Sequence, residues 1–284
     1  MSGEAKQLGV TDHSRDSAGL TYVYPVVSRR AGGVSVGINL NPNNACNWRC
    51  IYCQVPGLKR GSAPPIGLGQ LERELRGFID TLLHGDFMRK HVPEAARRIV
   101  DIAFSGNGEP TSAREFPDAI ELAGRVVRDT GLEGKVKIRV ITNGSLLGRK
   151  RVQQGLRRLG ELGGEAWFKV DAGSAEGYRR INGVEISPES VARNLHRCAQ
   201  LCPTWVQTCL FALDGTSPGD EEVQAYLDVL ERAGSANLSG VHLYGLARPS
   251  LQPEAERLSR LPQDRLEAIA ARIRALGLAV SVSV

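Results

Sequence analysis

The chain has 284 residues, of which 42% are hydrophobic and 24% charged, and its formal net charge is +5. That length supports one large core or a single barrel-type domain, and the short apolar runs exclude a membrane-spanning helix, which needs about 20 consecutive apolar residues. The charge is mild and its basic pairs (Arg29-Arg30, Lys59-Arg60, Arg97-Arg98, Arg157-Arg158) are scattered, with the densest run at Arg149-Lys150-Arg151. Solvated helix faces are therefore favoured over a nucleic-acid footprint.

From the N-terminus, Met1 to Ser17 is polar and lacks the apolar stretch of a secretion signal, so the cytoplasm is the expected compartment. Residues 1–33 read as an N-terminal extension and 34–284 as a partial barrel domain. Val34, Val36, Ile38 and Leu40 alternate as a strand that ends just before three close cysteines. A Gly- and Pro-rich loop over 56–69 follows, then a helix whose apolar stripe is Leu71, Leu75, Phe78, Ile79, Leu82 and Leu83. Further strands are expected over 99–104, 136–141, 166–170, 205–211 and 241–246. Ser187-Pro188 and Ser217-Pro218 each read as an N-cap followed by a first-turn proline. A last helix over 265–276 is stopped by Gly277, and Val280, Val282 and Val284 form a terminal strand. Strands alternating with helices imply a parallel sheet, so the fold expected is α/β, a partial (β/α)6 TIM-type barrel with a C-terminal strand. An open doubly wound sheet is the alternative.

Functional loops of such folds gather at the C-terminal ends of the strands. Cys46, Cys50 and Cys53 lie there, in Ala45-Cys46-Asn47-Trp48-Arg49-Cys50-Ile51-Tyr52-Cys53. Three thiolates this close can converge on one metal centre. An iron–sulfur cubane is usually held by four cysteines, so three leave one iron open. The competing reading is a structural zinc site completed by a histidine, but the nearest histidines in sequence are His13 and His84. Iron–sulfur chemistry and free thiols both suit a reducing compartment. The next strand exit, Ser105-Gly106-Asn107-Gly108-Glu109-Pro110, sets two glycines where backbone approaches a neighbour closely, with Glu109 able to meet an ammonium. Thr142-Asn143-Gly144 is a third polar exit. Lys169 and Asp171 share one side of a strand, either as a structural ion pair or as ligands for hydroxyls or a carboxylate.

The cysteine spacing, with an aromatic residue before the third cysteine, resembles the signature of the radical S-adenosylmethionine (SAM) superfamily. The resemblance implies a 4Fe-4S cluster on Cys46, Cys50 and Cys53 whose open iron chelates SAM, and reductive cleavage of SAM to a 5′-deoxyadenosyl radical. Residues 106–109 are similar to the family's element that binds the SAM amino group, although Asn107 stands where many relatives have a small residue. By the same resemblance Thr142 and Asn143 lie beside the methionyl and ribose groups. Tyr52 packs beside adenine or, with Trp48 and Ile51, walls the cluster from water. SAM-binding candidates are thus Tyr52, Gly106, Asn107, Gly108, Glu109, Thr142, Asn143, Lys169 and Asp171.

Three segments are similar to the branch that includes the tRNA-wyosine synthesising enzymes: Phe104 through Thr111, Asp171-Ala172-Gly173 with Tyr178-Arg179-Arg180-Ile181-Asn182, and Val241 through Pro249. That enzyme class carries upstream cysteines for a second cluster, and here none precedes Cys46. Wyosine synthesis itself is therefore not expected, and a tRNA-modifying role stays the alternative within the enzyme reading. The alternative of another class is a non-catalytic iron–sulfur or zinc-binding module. Cys198, Cys202 and Cys209 read as small buried residues rather than an auxiliary cluster. Gln207, Arg179, Arg180, His242, Tyr244 and Arg248 are candidates for substrate contact. The resemblance further implies a flavodoxin or ferredoxin electron donor and leaves the substrate open.

Overall fold

The computed structural model describes residues 19–28 and 32–283. The sequence expectations that rest on His13, Arg29-Arg30 and Val284, and most of the 1–33 segment, lie outside the described residues. Eight strands form one sheet. They are β1 (Val23–Ser28), β2 (Gly33–Ile38), β3 (Ile99–Phe104), β4 (Lys137–Thr142), β5 (Glu165–Lys169), β6 (Thr204–Cys209), β7 (Gly240–Tyr244) and β8 (Val280–Ser283). Spatial order follows chain order throughout. β1 runs antiparallel to β2, with Val23 opposite Ile38 and Ser28 opposite Gly33. Every later neighbour pair is parallel. Consecutive parallel strands with right-handed crossovers put all the helices on one face. The twisted sheet curls into a half-barrel, the partial TIM-type barrel expected.

Besides a short helical turn at Phe87–His91, the helices are α1 (Leu68–His84), α2 (Phe116–Asp129), α3 (Lys150–Glu161), α4 (Ala175–Asn182), α5 (Pro188–Ala199), α6 (Asp220–Arg232) and α7 (Gln263–Arg274). Strand alternation sorts the two faces. On β3, Ile102 and Phe104 turn outward into the helix layer, and Phe104 meets Phe116 of α2 edge-on at 6.4 Å. Asp101 and Ala103 turn inward. On β4, Ile138 and Val140 go out, Arg139 and Ile141 in.

Two local expectations are corrected, and one strand was not anticipated. β1, within the segment read as an N-terminal extension, contains Pro25, which lowers its strand signal, but an edge strand tolerates a residue without an N–H. Leu83 is 41% exposed, because it lies one position past the buried stripe that ends at Leu82. Ser217-Pro218 does not open α6. The helix starts at Asp220, where the Glu222 carboxylate accepts the Gly219 amide at 3.0 Å. By contrast Ser187 caps α5 and Pro188 is its first residue.

The floor of the half-barrel, toward the strand starts, is charged and aromatic. Arg139 donates to Glu165 at 2.7 Å and to Asp101. Ser35 also donates to Asp101, and the Trp167 indole to Glu165 at 3.0 Å. His242 stacks on Trp205 with ring centroids 4.5 Å apart and packs against Trp167 at 4.6 Å. The inside of this barrel is thus closed at one end by a self-compensating ion cluster instead of layers of branched apolar side chains.

Candidate active site

The cysteine loop follows β2 and is stapled from three directions. Ala45–Cys46 pairs in parallel with Lys59–Arg60, so the stretch expected as a free loop returns to brace the cysteines. Trp48 is buried and meets Tyr178 of α4 edge-on at 6.1 Å. The late segment 250–252 closes over the loop. Ser250 Oγ donates to the Ile51 carbonyl at 2.7 Å, the Leu251 amide to the Cys53 carbonyl at 3.0 Å and Gln252 Nε2 to the Val55 carbonyl at 2.9 Å. Cys46, Cys50 and Cys53 are free thiols, partly exposed, and border one cavity of about 340 Å³. Cys46 Sγ accepts the Trp48 amide at 3.4 Å and Cys50 Sγ accepts Asn182 Nδ2 at 3.2 Å. Burial pushes the Cys46 thiol up to about 11 and the Cys50 thiol up to about 12, the latter against the pull of Lys169.

The glycine-rich exit of β3 sits directly beneath this loop. A Cβ on Gly108 would overlap the Ala45 carbonyl oxygen, and one on Gly106, at φ 143°, would come within 2.5 Å of Asn39 Oδ1. The close approach that requires glycine is therefore to the cysteine loop itself. Asn39 Oδ1 accepts the amides of Asn41 and Asn107 at 2.9 and 3.1 Å, and Asn41 Nδ2 donates to Ala45 O at 2.9 Å. Glu109 is buried, and its carboxylate accepts four hydrogen bonds. These come from the Thr111 amide (3.1 Å) and hydroxyl (2.5 Å), the Thr142 hydroxyl (2.6 Å) and the Asn143 amide (2.7 Å). All four donors are neutral, and among the described residues no cation pairs with it. Burial raises its pKa against the pull of those donors.

At the β5 exit, Asp171 has a fully buried side chain behind Tyr52. The Tyr52 hydroxyl donates to Asp171 Oδ2 at 2.6 Å and accepts from Lys169, whose ammonium lies 4.7 Å over the Tyr52 ring and 3.7 Å from Asp171. Asn182 Nδ2 and the Cys209 amide also donate to Asp171, at 2.8 and 3.3 Å. Burial, then the Asp171 charge, hold the Tyr52 phenol well above its usual value. Lys169 is raised by Asp171 in spite of burial, so it stays an ammonium.

Of the expected residues, the cavity is bordered by Cys46, Cys50, Cys53, Tyr52, Gly106, Asn107, Gly108, Glu109, Asn143 and Lys169. Thr142 does not border it, because its hydroxyl is spent on Glu109, and Asp171 lies behind Tyr52. Gln207, Cys209, Tyr244 and Arg248 border it as well, so Cys209 sits beside the site while Cys198 and Cys202 lie in the helix layer. Arg179 and Arg180 are not brought in. They are exposed and pair with Glu185 and Glu222. His242 is held in the aromatic floor. Asn39, Asn41, Asn182 and Ser250 carry the architecture of the site, and none was expected as a site residue, Asn182 entering only as the end of a segment similar to the wyosine branch; Asn182 and Ser250 reach partners more than 100 positions away.

The family model for the radical SAM superfamily matches residues 40–230. A UPF0026 protein of Helicobacter pylori is 30% identical over 159 residues, 56% of this chain and 44% of the relative. The chain thus spans about half the length of that curated relative. Among solved structures, Streptococcus suis SuiB bound to S-adenosylmethionine superposes with a TM-score of 0.59 at 11% identity, covering 89% of this chain and 51% of SuiB. TYW1 with a lysine-pyruvate adduct bound superposes with a TM-score of 0.57 at 17% identity, covering 85% of this chain and 73% of TYW1.

Proposed function

The chain belongs to the radical SAM superfamily, and on that premise we propose that Cys46, Cys50 and Cys53 hold a 4Fe-4S cluster over which SAM binds. The observation that carries the reading is the convergence of three free thiols and the Glu109 loop on one cavity. The donor set suits a cluster. Two of the sulfurs accept N–H groups, which favour thiolate character. A cationic iron centre supplies the opposite charge that these thiols otherwise lack when ionised. A zinc module needs four ligands that meet at one point, whereas a cubane takes its cysteines on separate irons and needs only three here.

When bound, cluster and SAM would supply one-electron cleavage of the sulfonium, releasing a 5′-deoxyadenosyl radical that abstracts hydrogen from a substrate. Glu109 offers its negative charge to the SAM ammonium, because its neutral donors orient the carboxylate without cancelling it. Backbone of Gly106, Asn107 and Gly108 lines the same wall. Tyr52 and Lys169 close the opposite wall, with Asp171 fixing the Tyr52 hydroxyl from behind. Asn143, anchored through its amide to Glu109 and through Nδ2 to Asn47 at 2.9 Å, faces the space between. Gln207, Tyr244 and Arg248 border the remaining cavity and are assigned to substrate contact. The electron comes from an external donor of flavodoxin or ferredoxin type.

The test is anaerobic reconstitution followed by iron and sulfide analysis, then dithionite and SAM with chromatography for 5′-deoxyadenosine. Wild type should be brown and release deoxyadenosine. Cys46→Ala, Cys50→Ala and Cys53→Ala should each lose the cluster, and Cys198→Ala should keep it. A colourless protein with stoichiometric zinc would sink the reading.

A further inference from the structure

We infer that Asn182 is a positioning residue that sets the reduction potential of the cluster and ties it to the Tyr52–Lys169–Asp171 wall; this rests on the cluster reading above. Asn182 is the last residue of α4, and Gly183, at φ 62°, ends the helix behind it. The last carbonyls of a helix lack intrahelical partners. Here the cysteine loop satisfies them, since the Arg49 amide donates to the Asn182 carbonyl and the Ile51 amide to the Ile181 carbonyl, both at 2.9 Å. The end of α4 is thereby locked to the residues on either side of Cys50.

In that lock the Asn182 side chain, fully buried, directs one NH₂ group at two acceptors, Cys50 Sγ at 3.2 Å, a thiolate when it holds the cluster, and Asp171 Oδ2 at 2.8 Å. The reverse amide orientation would aim a carbonyl at a thiolate and a carboxylate, so the chemistry fixes the assignment. Among the described residues the amide Oδ1 is buried without a hydrogen-bond partner. An unsatisfied buried acceptor is costly, and a merely space-filling role would be served better by an apolar side chain. The two N–H bonds are what the asparagine contributes. A hydrogen bond to a cluster sulfur stabilises the more negative, reduced state and raises the potential. Because the same NH₂ group also holds Asp171, displacement of the Tyr52–Lys169 wall is transmitted to Cys50 over a single side chain.

The experiment is a redox titration of the reconstituted wild type and of Asn182→Leu, followed by electron paramagnetic resonance, with iron content measured on the same samples. The leucine variant removes the donors and the unsatisfied carbonyl together. Expected are wild-type iron content and a reduction equilibrium shifted about tenfold toward the oxidised form, a fall of about 59 mV for a one-electron couple. Asn182→Ser, too short to reach the sulfur, should move it in the same direction. An unchanged midpoint in either cluster-bearing variant overturns the inference while the cluster reading stands. Loss of the cluster from both variants in a folded chain overturns it in favour of a structural role. A wild type that takes up no iron–sulfur cluster overturns both.

Discussion

Glu109 on the rim of the half-barrel and the pair Asp101 and Glu165 on its floor are carboxylates buried on the same concave face, yet they are stabilised in opposite ways. On the floor, the Arg139 guanidinium bridges the two acids, and Lys137 lies 3.5 Å from Glu165. Charge is cancelled by charge, and the cluster is complete without a ligand. On the rim, neutral hydroxyl and amide donors aim the Glu109 carboxylate while leaving its charge uncompensated. A buried charge without a partner is costly. A cationic ligand in the adjoining cavity would remove that cost, and this is the part proposed above for the SAM ammonium, whereas the floor needs no such partner.

The largest effect should follow from breaking the floor. Arg139→Met leaves Asp101 without a cation and Glu165 with Lys137 alone, and removing one partner of a buried ion pair costs about 3–5 kcal/mol. Thermal unfolding should show the loss, and SAM affinity of the folded fraction should not change. The deficit has a sign in pH. Glu165 is buried, but its bonds with Arg139 hold its pKa below the ordinary 4.5. Its contribution is therefore present above 4.5 and lost as pH falls through the folded value. The gap between wild type and Arg139→Met should narrow as the melts are moved from neutral pH to below 4.5; a gap that widens would show that Arg139 does not act through Glu165.

A smaller effect, of another kind, is expected from the rim. Glu109→Gln keeps the shape and removes the charge. A charge-assisted hydrogen bond contributes about 1.5–3 kcal/mol, so SAM affinity should fall roughly ten- to a hundredfold with cluster content preserved, read by equilibrium dialysis of labelled SAM. If affinity is unchanged, rim and floor carboxylates serve the same structural purpose and the contrast fails.

The strands of the parallel sheet were legible because their outward residues alternate or run together as Val, Ile and Phe. β1 was not, because Pro25 in an edge strand lowers the signal without breaking the ladder. That the cysteine triplet and Glu109 border one cavity was legible from their places at strand exits, Glu109 with the help of the family resemblance. What spacing did not reveal was who satisfies whom. Gly108 makes room for the Ala45 carbonyl where a ligand was expected. Thr142 serves Glu109, and Asp171 stands behind Tyr52. Asn182 meets Cys50 across 132 positions of chain. Contacts of that range exist only once the barrel has brought strand exits and helix ends together, so the segment that ends at Asn182 was visible in the sequence while its partner Cys50 was not. Arg179 and Arg180 show the converse: polar residues near a strand exit that the turn of α4 carries to the surface.

The central claim, that three cysteines leave one iron of the cluster open to SAM, is tested most directly by Mössbauer spectroscopy of the ⁵⁷Fe-reconstituted protein with and without SAM. The account predicts that SAM shifts the signal of one iron in four, in wild type and, at higher SAM, in Glu109→Gln. Four irons unaffected by saturating SAM would contradict it.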